Sequence, residues 1–394
     1  MNACHRRLAV LPCTFVLYKS ENSVIMVVGN MCEGRKTMAY KILSINPGST
    51  STKVGVFEDG KLLFSETVRH SKEELDKFAA ITDQADMRLE LITKMLTENG
   101  IDINSMDAYV GRGGIIAPLE SGVYSVNDKM VDDIFHTKAS KHASCLGGLF
   151  ARKLGDKNGK PSFVVDPVVV DERPAVAKVS GLPGHDRACV FHALNQKAVA
   201  HNYAKENGKA YEDCRLVVAH MGGGITVGAH ANGKVIDVND GFNGEGPFSP
   251  ERCGGIQMDA VINMCFSGEY TKADMMAFAN KKGGVSAHLN TNDMREVERR
   301  ASEGDEKAKL IFEAMAYNVA KEIGAMAAVL SYDIDAVILT GGLAYSKPFV
   351  KLITDRVAKI APTVIYPGED ELQALCDGAL RVLRKEENVK EYKG

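Results

Sequence analysis

The chain has 394 residues, 45% of them hydrophobic, with 48 Lys and Arg against 51 Asp and Glu for a formal charge of −3. That length and apolar content allow two domains with cores of their own, and the near balance of charge supplies no basic surface for nucleic acid or a membrane. No apolar run is long enough to span a bilayer. The nine cysteines are odd in number and contain no CxxC pair, which argues against a disulfide framework or a zinc site and fits a cytoplasmic location.

Residues 1–37 differ from the rest. His5, Arg6 and Arg7 precede an apolar stretch from Leu8 to Leu17 that Pro12 interrupts. No small-residue cleavage site follows, so a signal peptide is weakly supported. The segment reads better as an N-terminal extension, a disordered tail or a misassigned start, because Met38 leads directly into a strand.

From there the pattern is strand (Lys41 to Ile45), loop (Asn46–Thr52, sequence NPGSTST), strand (Lys53 to Phe57), turn and strand (Leu62 to Val68). The turn contains Asp59-Gly60, a dipeptide that accepts the positive φ angles of a tight hairpin. Ser71 with Glu74 forms a capping box that opens a helical region, and Gly100 closes it. Ala108 to Val110 is a short buried strand ending in Gly111-Arg112-Gly113-Gly114. Helices are expected near 126–136, 143–154 and 191–207, with a strand from Ser162 to Val165 that ends at Asp166.

A repeat follows. "KILSINPGSTSTKVGVFEDGK" from Lys41 and "CRLVVAHMGGGITVGAHANGK" from Cys214 align without a gap at an offset of 214 − 41 = 173. Val54 then matches Val227, Gly55 matches Gly228, and Gly60-Lys61 match Gly233-Lys234. Asn232-Gly233 is the other favoured hairpin dipeptide. The alignment keeps strand, loop, strand and turn together, and so indicates a duplicated unit. Residues 237–255, rich in Gly, Asn and Pro, read as a long functional loop. A helix over 306–330, a strand from Ala336 to Leu339 ending in Thr340-Gly341-Gly342, a further helix, a strand at 363–366 and a final helix from about Asp370 to Lys385 complete the chain.

Three turns that carry glycine follow apolar strands: Asn46–Thr52, Met221–Thr226 and Thr340–Leu343. Without bulky side chains a backbone can approach phosphate and offer its N–H groups. One such turn is an ordinary hairpin. Three, two of them related by duplication, favour a nucleotide. None is a Walker A loop, and none fits the dinucleotide fingerprint, since the first two open hairpins rather than helices. Arg112 and Arg252 are flanked by or close to glycines that leave a guanidinium unobstructed, and two such groups can stabilise the charge of a phosphoryl group in transfer. Asp166, at a strand end before Pro167, suits a metal, a nucleophile or a loop cap. Asp370 and Glu371 are accounted for by the dipole of the helix they open. His192 and His220 adjoin apolar runs and read as structural histidines.

Taken together and in order, Asn46 through Lys53, Gly111 through Gly114, Phe191-His192, His220 through Gly224, residues 237–255 and Thr340 through Gly342 resemble the acetate and butyrate kinase family, over essentially residues 38–390. That family is part of the superfamily of sugar kinases, actin and heat-shock ATPases. The resemblance implies an α/β fold of two duplicated actin-like, ribonuclease H-like domains with a nucleotide cleft between them. It places one domain at 38–167 with a returning helix from 370–394, and the other at 168–369. It implies reversible transfer of phosphate from ATP to a short-chain carboxylate, with ADP and an acyl phosphate as products and Mg2+ as cofactor. It also implies a homodimer or higher homo-oligomer.

Position by position, the resemblance assigns Asn46, Ser49, Ser51 and Lys53 to the phosphate end of the cleft. Arg112 and Arg252 would hold the carboxylate and the phosphoryl group, and Asp166 would orient substrate or metal. His220, Gly222, Gly223 and Gly224 would contact phosphates, Gly341 and Gly342 the adenosine side, and Glu371 with Asp370 the Mg2+. His192 and Gly114 would border the substrate. Two departures stand out. Where acetate kinases carry a catalytic histidine, four residues after His192, this chain has Gln196. Where they carry a valine two residues after the first arginine, it has Gly114. Loss of that isopropyl group leaves room for a longer tail, and each buried methylene contributes ~0.8 kcal/mol. The expected substrate is therefore butyrate or a branched analogue. An acetate or propionate kinase is the first alternative, and a non-catalytic ATP-binding module of the actin and chaperone type the second.

Overall fold

The computed structural model describes residues 16–20, 23–27, 39–136 and 142–394. Residues 1–39 and 40–394 are separate compact units. In the first unit, β1 (Val16–Ser20) and β2 (Ser23–Val27) pair antiparallel, with Val16 opposite Val27. The remainder of the 1–37 extension, and with it the expectation of a disordered tail, lies outside the described residues.

The second unit opens with β3 (Lys41–Pro47), β4 (Ser51–Glu58) and β5 (Lys61–Arg69), then the helices α1 (Lys72–Leu75) and α2 (Ala85–Glu98). Next come β6 (Ala108–Arg112), β7 (Val123–Ser125), α3 (Asp128–His136), α4 (Cys145–Asn158), β8 (Ser162–Val165), α5 (Ala175–Lys178) and α6 (Ala193–Glu206). The duplicated segment forms β9 (Leu216–Met221), β10 (Ile225–Ala231) and β11 (Lys234–Val238). Helices α7 (Met258–Phe266), α8 (Lys272–Asn280), α9 (Gly284–Leu289), α10 (Met294–Ser302) and α11 (Glu306–Val329) follow. The chain ends with β12 (Ala336–Gly341), α12 (Lys347–Val357), β13 (Thr363–Pro367), α13 (Glu371–Leu383) and β14 (Lys390–Glu391).

These strands make two sheets of matching design. One runs β14-β7-β8-β6-β3-β4-β5 and the other β11-β10-β9-β12-β13. In each, a three-strand antiparallel meander is extended by two parallel strands. The 173-residue offset holds in detail. Asp59 and Gly60 have φ of 51° and 88°, and Asn232 and Gly233 have 53° and 71°. A bulge falls between Val56 and Phe57 in one meander and between Ala229 and His230 in the other, positions related by the same offset.

The central strands of each sheet are buried on both faces, while the edge strands β5 and β13 are largely open. Helices α2, α3 and α4 cover one face of the first sheet. The other face meets Leu372, Leu375, Cys376, Ala379 and Leu380 of α13, so the chain-terminal helix packs on the first sheet. In the second sheet, α11 and α12 lie against Val217, Ala219, Val227 and Leu339, with α6 on the opposite face. The helical region expected from Ser71 to Gly100 is two helices and not one. Ser71 does form its capping box, but α1 stops at Leu75 and the main helix begins at Ala85. Helices α7 to α10 follow the long loop and were not foreseen. Among the described residues no helix is long and apolar enough to cross a membrane.

Candidate functional site

The strand ends of both sheets open on a cleft. At the end of β3, the Asn46 side chain donates from Nδ2 to Glu371 Oε2. Arg112, at the end of β6, lies 3.0 Å from Glu371 Oε1 and 3.5 Å from Asn46 Oδ1. Three residues remote in sequence thus meet because β3 and β6 are parallel neighbours and α13 begins beside them.

Arg88, which sequence analysis did not single out, supports the Asn46–Thr52 loop. The residue is only 1% exposed, and its guanidinium donates to the main-chain carbonyls of Gly48 (2.7 Å) and Ser49 (2.8 Å). Ser49 and Lys53 are exposed and Ser51 is half-buried. The residue type gave no signal for Arg88, because an arginine inside an amphipathic helix ordinarily faces solvent.

Arg252 comes from the irregular 237–255 segment. Its Nη1 donates to Gly241 O at 2.6 Å, its guanidinium sits 5.6 Å from the centre of the Phe242 ring, and its Nε is buried without a partner. Among the described residues no carboxylate comes within ion-pairing distance of it. Burial pulls its pKa down, since desolvation disfavours the charged form. A Cβ on Gly224 would stand 2.5 Å from the Arg252 Cζ. Gly224 therefore makes room for this arginine rather than for phosphate.

Arg112 and Arg252 border a cavity of about 70 Å³ with His192, His142, Ser144, Ile115, Val168, Val190, Phe191 and Phe242. Five of these lining residues are apolar: Ile115, Val168, Val190, Phe191 and Phe242. His142 was missed because nothing in its local sequence marks it. Burial and the charges of Arg112 and Arg252 lower its pKa. His192 is stacked on His220, ring centroids 3.8 Å apart and 12° from parallel. Burial lowers the His192 pKa well below its ordinary value, reinforced by His220, Arg252 and Arg112, so its ring is neutral near pH 7.

The Gly114 expectation fails for a steric reason. A Cβ there would stand 2.6 Å from Cys145 Cα and 2.7 Å from Cys145 N. The space vacated by a side chain is filled by the start of α4, and Gly114 does not line the cavity.

A larger cavity of about 1020 Å³ lies on the second sheet's side. Its walls include Gly222 and Gly223 after β9, Gly342 after β12, Asn292, Arg295 and Glu369. Gly341, at φ 89°, must be glycine, because a Cβ would stand 2.7 Å from Met221 C and N. That contact lets the ends of β9 and β12 converge on the cavity. Glu369 Oε1 lies 3.1 Å from His220 Nε2, though off the line of a hydrogen bond. Burial raises the Glu369 pKa, but His220 outweighs this and the net shift is downward. Asp370 instead caps α13 through the Gln373 amide, at 3.2 Å, and borders a separate cavity with Asp166. The acids turned to the cleft are thus Glu369 and Glu371. Glu369 sits just before the N-cap of α13, and nothing in its local sequence marks it.

Asp166 does not join the arginines. Its Oδ1 accepts from the Gly122 amide at 2.7 Å, and its φ is 38°. Burial raises its pKa, against the pull of Lys197.

Two duplicated sheets with strand ends converging on an open cleft define a duplicated α/β fold of the actin-like type. Residues 186–359 match the model of the acetokinase family. The whole fold is similar to that of an acetate kinase from Porphyromonas gingivalis, with TM-score 0.72 and 20% identity over 88% of this chain and 100% of that one. It is likewise similar to a propionate kinase from Francisella tularensis subsp. tularensis SCHU S4, with TM-score 0.70 and 19% identity over 85% and 98%. An acetate kinase from Entamoeba histolytica gives TM-score 0.70 and 17% identity over 86% and 99%.

Proposed function

We propose that this protein is a carboxylate kinase that transfers the terminal phosphoryl group of ATP to a short-chain acid, reversibly. The observation that carries this is the pairing of Arg112 and Arg252 over a small apolar cavity beside the larger glycine-walled one. A non-catalytic ATP switch has no use for two guanidiniums at an acceptor pocket. The acetokinase-family match over 186–359 supports the same reading.

The acid would enter with its carboxylate between Arg112 and Arg252 and its tail toward Ile115, Val168, Val190, Phe191 and Phe242. The triphosphate would run from the backbone of Gly222 and Gly223 to the Asn46 loop, and Gly341 and Gly342 would face the adenosine. A carboxylate oxygen attacks the terminal phosphorus, and the bond to the bridging oxygen breaks, releasing ADP. The nucleophile is already ionised, so no protein base is required. The chain contributes alignment and charge, with Arg112 and Arg252 countering the equatorial oxygens. A magnesium ion would neutralise phosphate charge. Mg2+ commonly takes one or two carboxylates plus phosphate oxygens, and Glu371 beside Asn46 suits that role better than Asp370 does.

Within this reading we favour butyrate or a branched analogue. The cavity of about 70 Å³ is several times the ~10–15 Å³ that one water needs, and each further buried methylene contributes ~0.8 kcal/mol. Its modest size keeps acetate or propionate as the second reading. We also propose the two lobes as 38–167 with 370–394, and 168–369, consistent with the packing of α13 on the first sheet. Assembly as a dimer or larger is supported by α7, where Met258 and Phe266 are 77% and 84% exposed.

The test is acyl phosphate formation from ATP with acetate, propionate, butyrate and isobutyrate. Turnover should rise toward butyrate, and a maximum on acetate refutes the finer assignment. Arg112→Ala should retain nucleotide binding and lose most turnover. Undiminished turnover in that variant refutes the site.

A further inference from the structure

Five side chains form one hydrogen-bonded line from the interior of the second sheet to the cleft. Tyr211 OH is 2.8 Å from His230 Nδ1, and His230 Nε2 is 3.1 Å from Gln196 Oε1. Gln196 Nε2 is 2.9 Å from Thr226 Oγ1, and Thr226 Oγ1 is 2.9 Å from His192 Nδ1. Tyr211, His230, Gln196 and Thr226 are all buried, so every polar hydrogen among them needs a partner.

One contact fixes the direction of the whole line. Gln196 Nε2 also lies 3.1 Å from the main-chain oxygen of Thr226. A carbonyl oxygen only accepts, so the NH2 end of the amide must face Thr226 and Oε1 must face His230. Oε1 also only accepts, so His230 carries its hydrogen on Nε2. Burial holds the His230 pKa well below its ordinary value, the ring is neutral, and its Nδ1 accepts from the Tyr211 hydroxyl. On the other side, Thr226 Oγ1 accepts from Gln196. The Thr226 hydroxyl hydrogen then has one acceptor within reach among the described residues, His192 Nδ1. The neutral His192 ring therefore carries its hydrogen on Nε2, and that ring lines the cavity that Arg112 and Arg252 border. Gly228 accommodates the arrangement, since a Cβ there would stand 2.5 Å from Gln196 Oε1.

We propose that Gln196 is a positioning residue that, through Thr226, sets His192 as a neutral Nε2–H donor toward the anionic reactants. The two arginines supply the charge, and His192 adds a directed hydrogen bond without a third cation. Gln196 thus has a defined role at the position where the resembling acetate kinases carry a histidine. The kinetic consequence rests on the carboxylate-kinase reading, but the protonation pattern does not.

The test is nitrogen-detected NMR on 15N-histidine-labelled full-length protein at pH 7, with His192 assigned by comparison with His192→Asn. The wild type should show Nε2 protonated and Nδ1 bare. In Gln196→Glu the carboxylate can only accept, so the Thr226 hydroxyl turns to it and the His192 hydrogen moves to Nδ1. With acid and ATP as substrates, kcat should then fall about 10²-fold, the cost of one misdirected donor, while KM for ATP stays within about twofold. Thr226→Ser, which keeps the hydroxyl, should retain the wild-type ring pattern. Should Gln196→Glu not fold, Thr226→Val removes the same donor to Nδ1. A wild-type His192 protonated on Nδ1, or an unchanged pattern in Gln196→Glu, overturns the proposal. If no acid is phosphorylated by the wild type, the function fails while the ring nitrogens still decide this inference.

Discussion

Replacing Gly224 by alanine tests whether the position of Arg252 is what the site depends on. The new Cβ would stand 2.5 Å from the Arg252 Cζ and 3.1 Å from its Nε, whereas ordinary contact begins at 3.4 Å. The guanidinium must therefore retreat by about 1 Å. It cannot rotate away freely, because its Nη1 is held on Gly241 O at 2.6 Å and its face lies over Phe242. A displacement of about 1 Å at a positioning group costs roughly 10²-fold in rate, equivalent to ~2.7 kcal/mol of transition-state stabilisation. Gly224 is not in the left-handed region, so alanine fits the backbone and the unfolded chain is slightly less entropic. Global stability should change by less than ~1 kcal/mol. The assay is kcat/KM for acid and ATP alongside denaturant unfolding. A variant with kcat/KM within about threefold of the wild type would refute the claim that Gly224 exists to seat Arg252. Lost activity together with lost stability would refute the local account as well.

Two further outcomes are expected. Gly114→Ala pushes a methyl group into the backbone of Cys145, so it should destabilise the fold by about 1–3 kcal/mol and leave the order of preference among acids unchanged; denaturant midpoints and the substrate panel check both. His70 is 5% exposed, and burial, with Arg88 nearby, lowers its pKa from 6.5 to about 4. The unfolded chain then binds more protons than the native one between those values, so this contribution is present above pH 6.5 and is lost as pH falls toward 4. Between pH 7 and pH 5 the loss should be about 2 kcal/mol, and a His70→Gln variant should lack that part of the slope in unfolding measured across pH.

The local parts of this protein could be read from its residues. Asp59-Gly60 and Asn232-Gly233 require positive φ angles that few other pairs tolerate, so both hairpins and the 173-residue offset between them are written in adjacent residues. The strands that end at Arg112, Asp166 and Thr340 were equally visible, as were α4, α6, α11 and α13, because their apolar spacing has the period of the element.

Only the tertiary structure decided what those ends face. The sequence paired Asp370 with Glu371, yet the path of the chain into α13 turns Glu369 and Glu371 to the cleft and leaves Asp370 as a cap. Arg88 became a brace because α2 packs beneath the Asn46 loop, 40 positions away. Gly114 suggested empty space, but α4 had already filled it. Asp166 met the Gly122 amide rather than Arg112 and Arg252. Backbone preference and hydrophobic period act between neighbours, so they are legible in a string of letters. The partner of a guanidinium, or the occupant of the space beside a glycine, is fixed by elements hundreds of residues apart coming within a few ångströms, and that information exists only once the two sheets have closed.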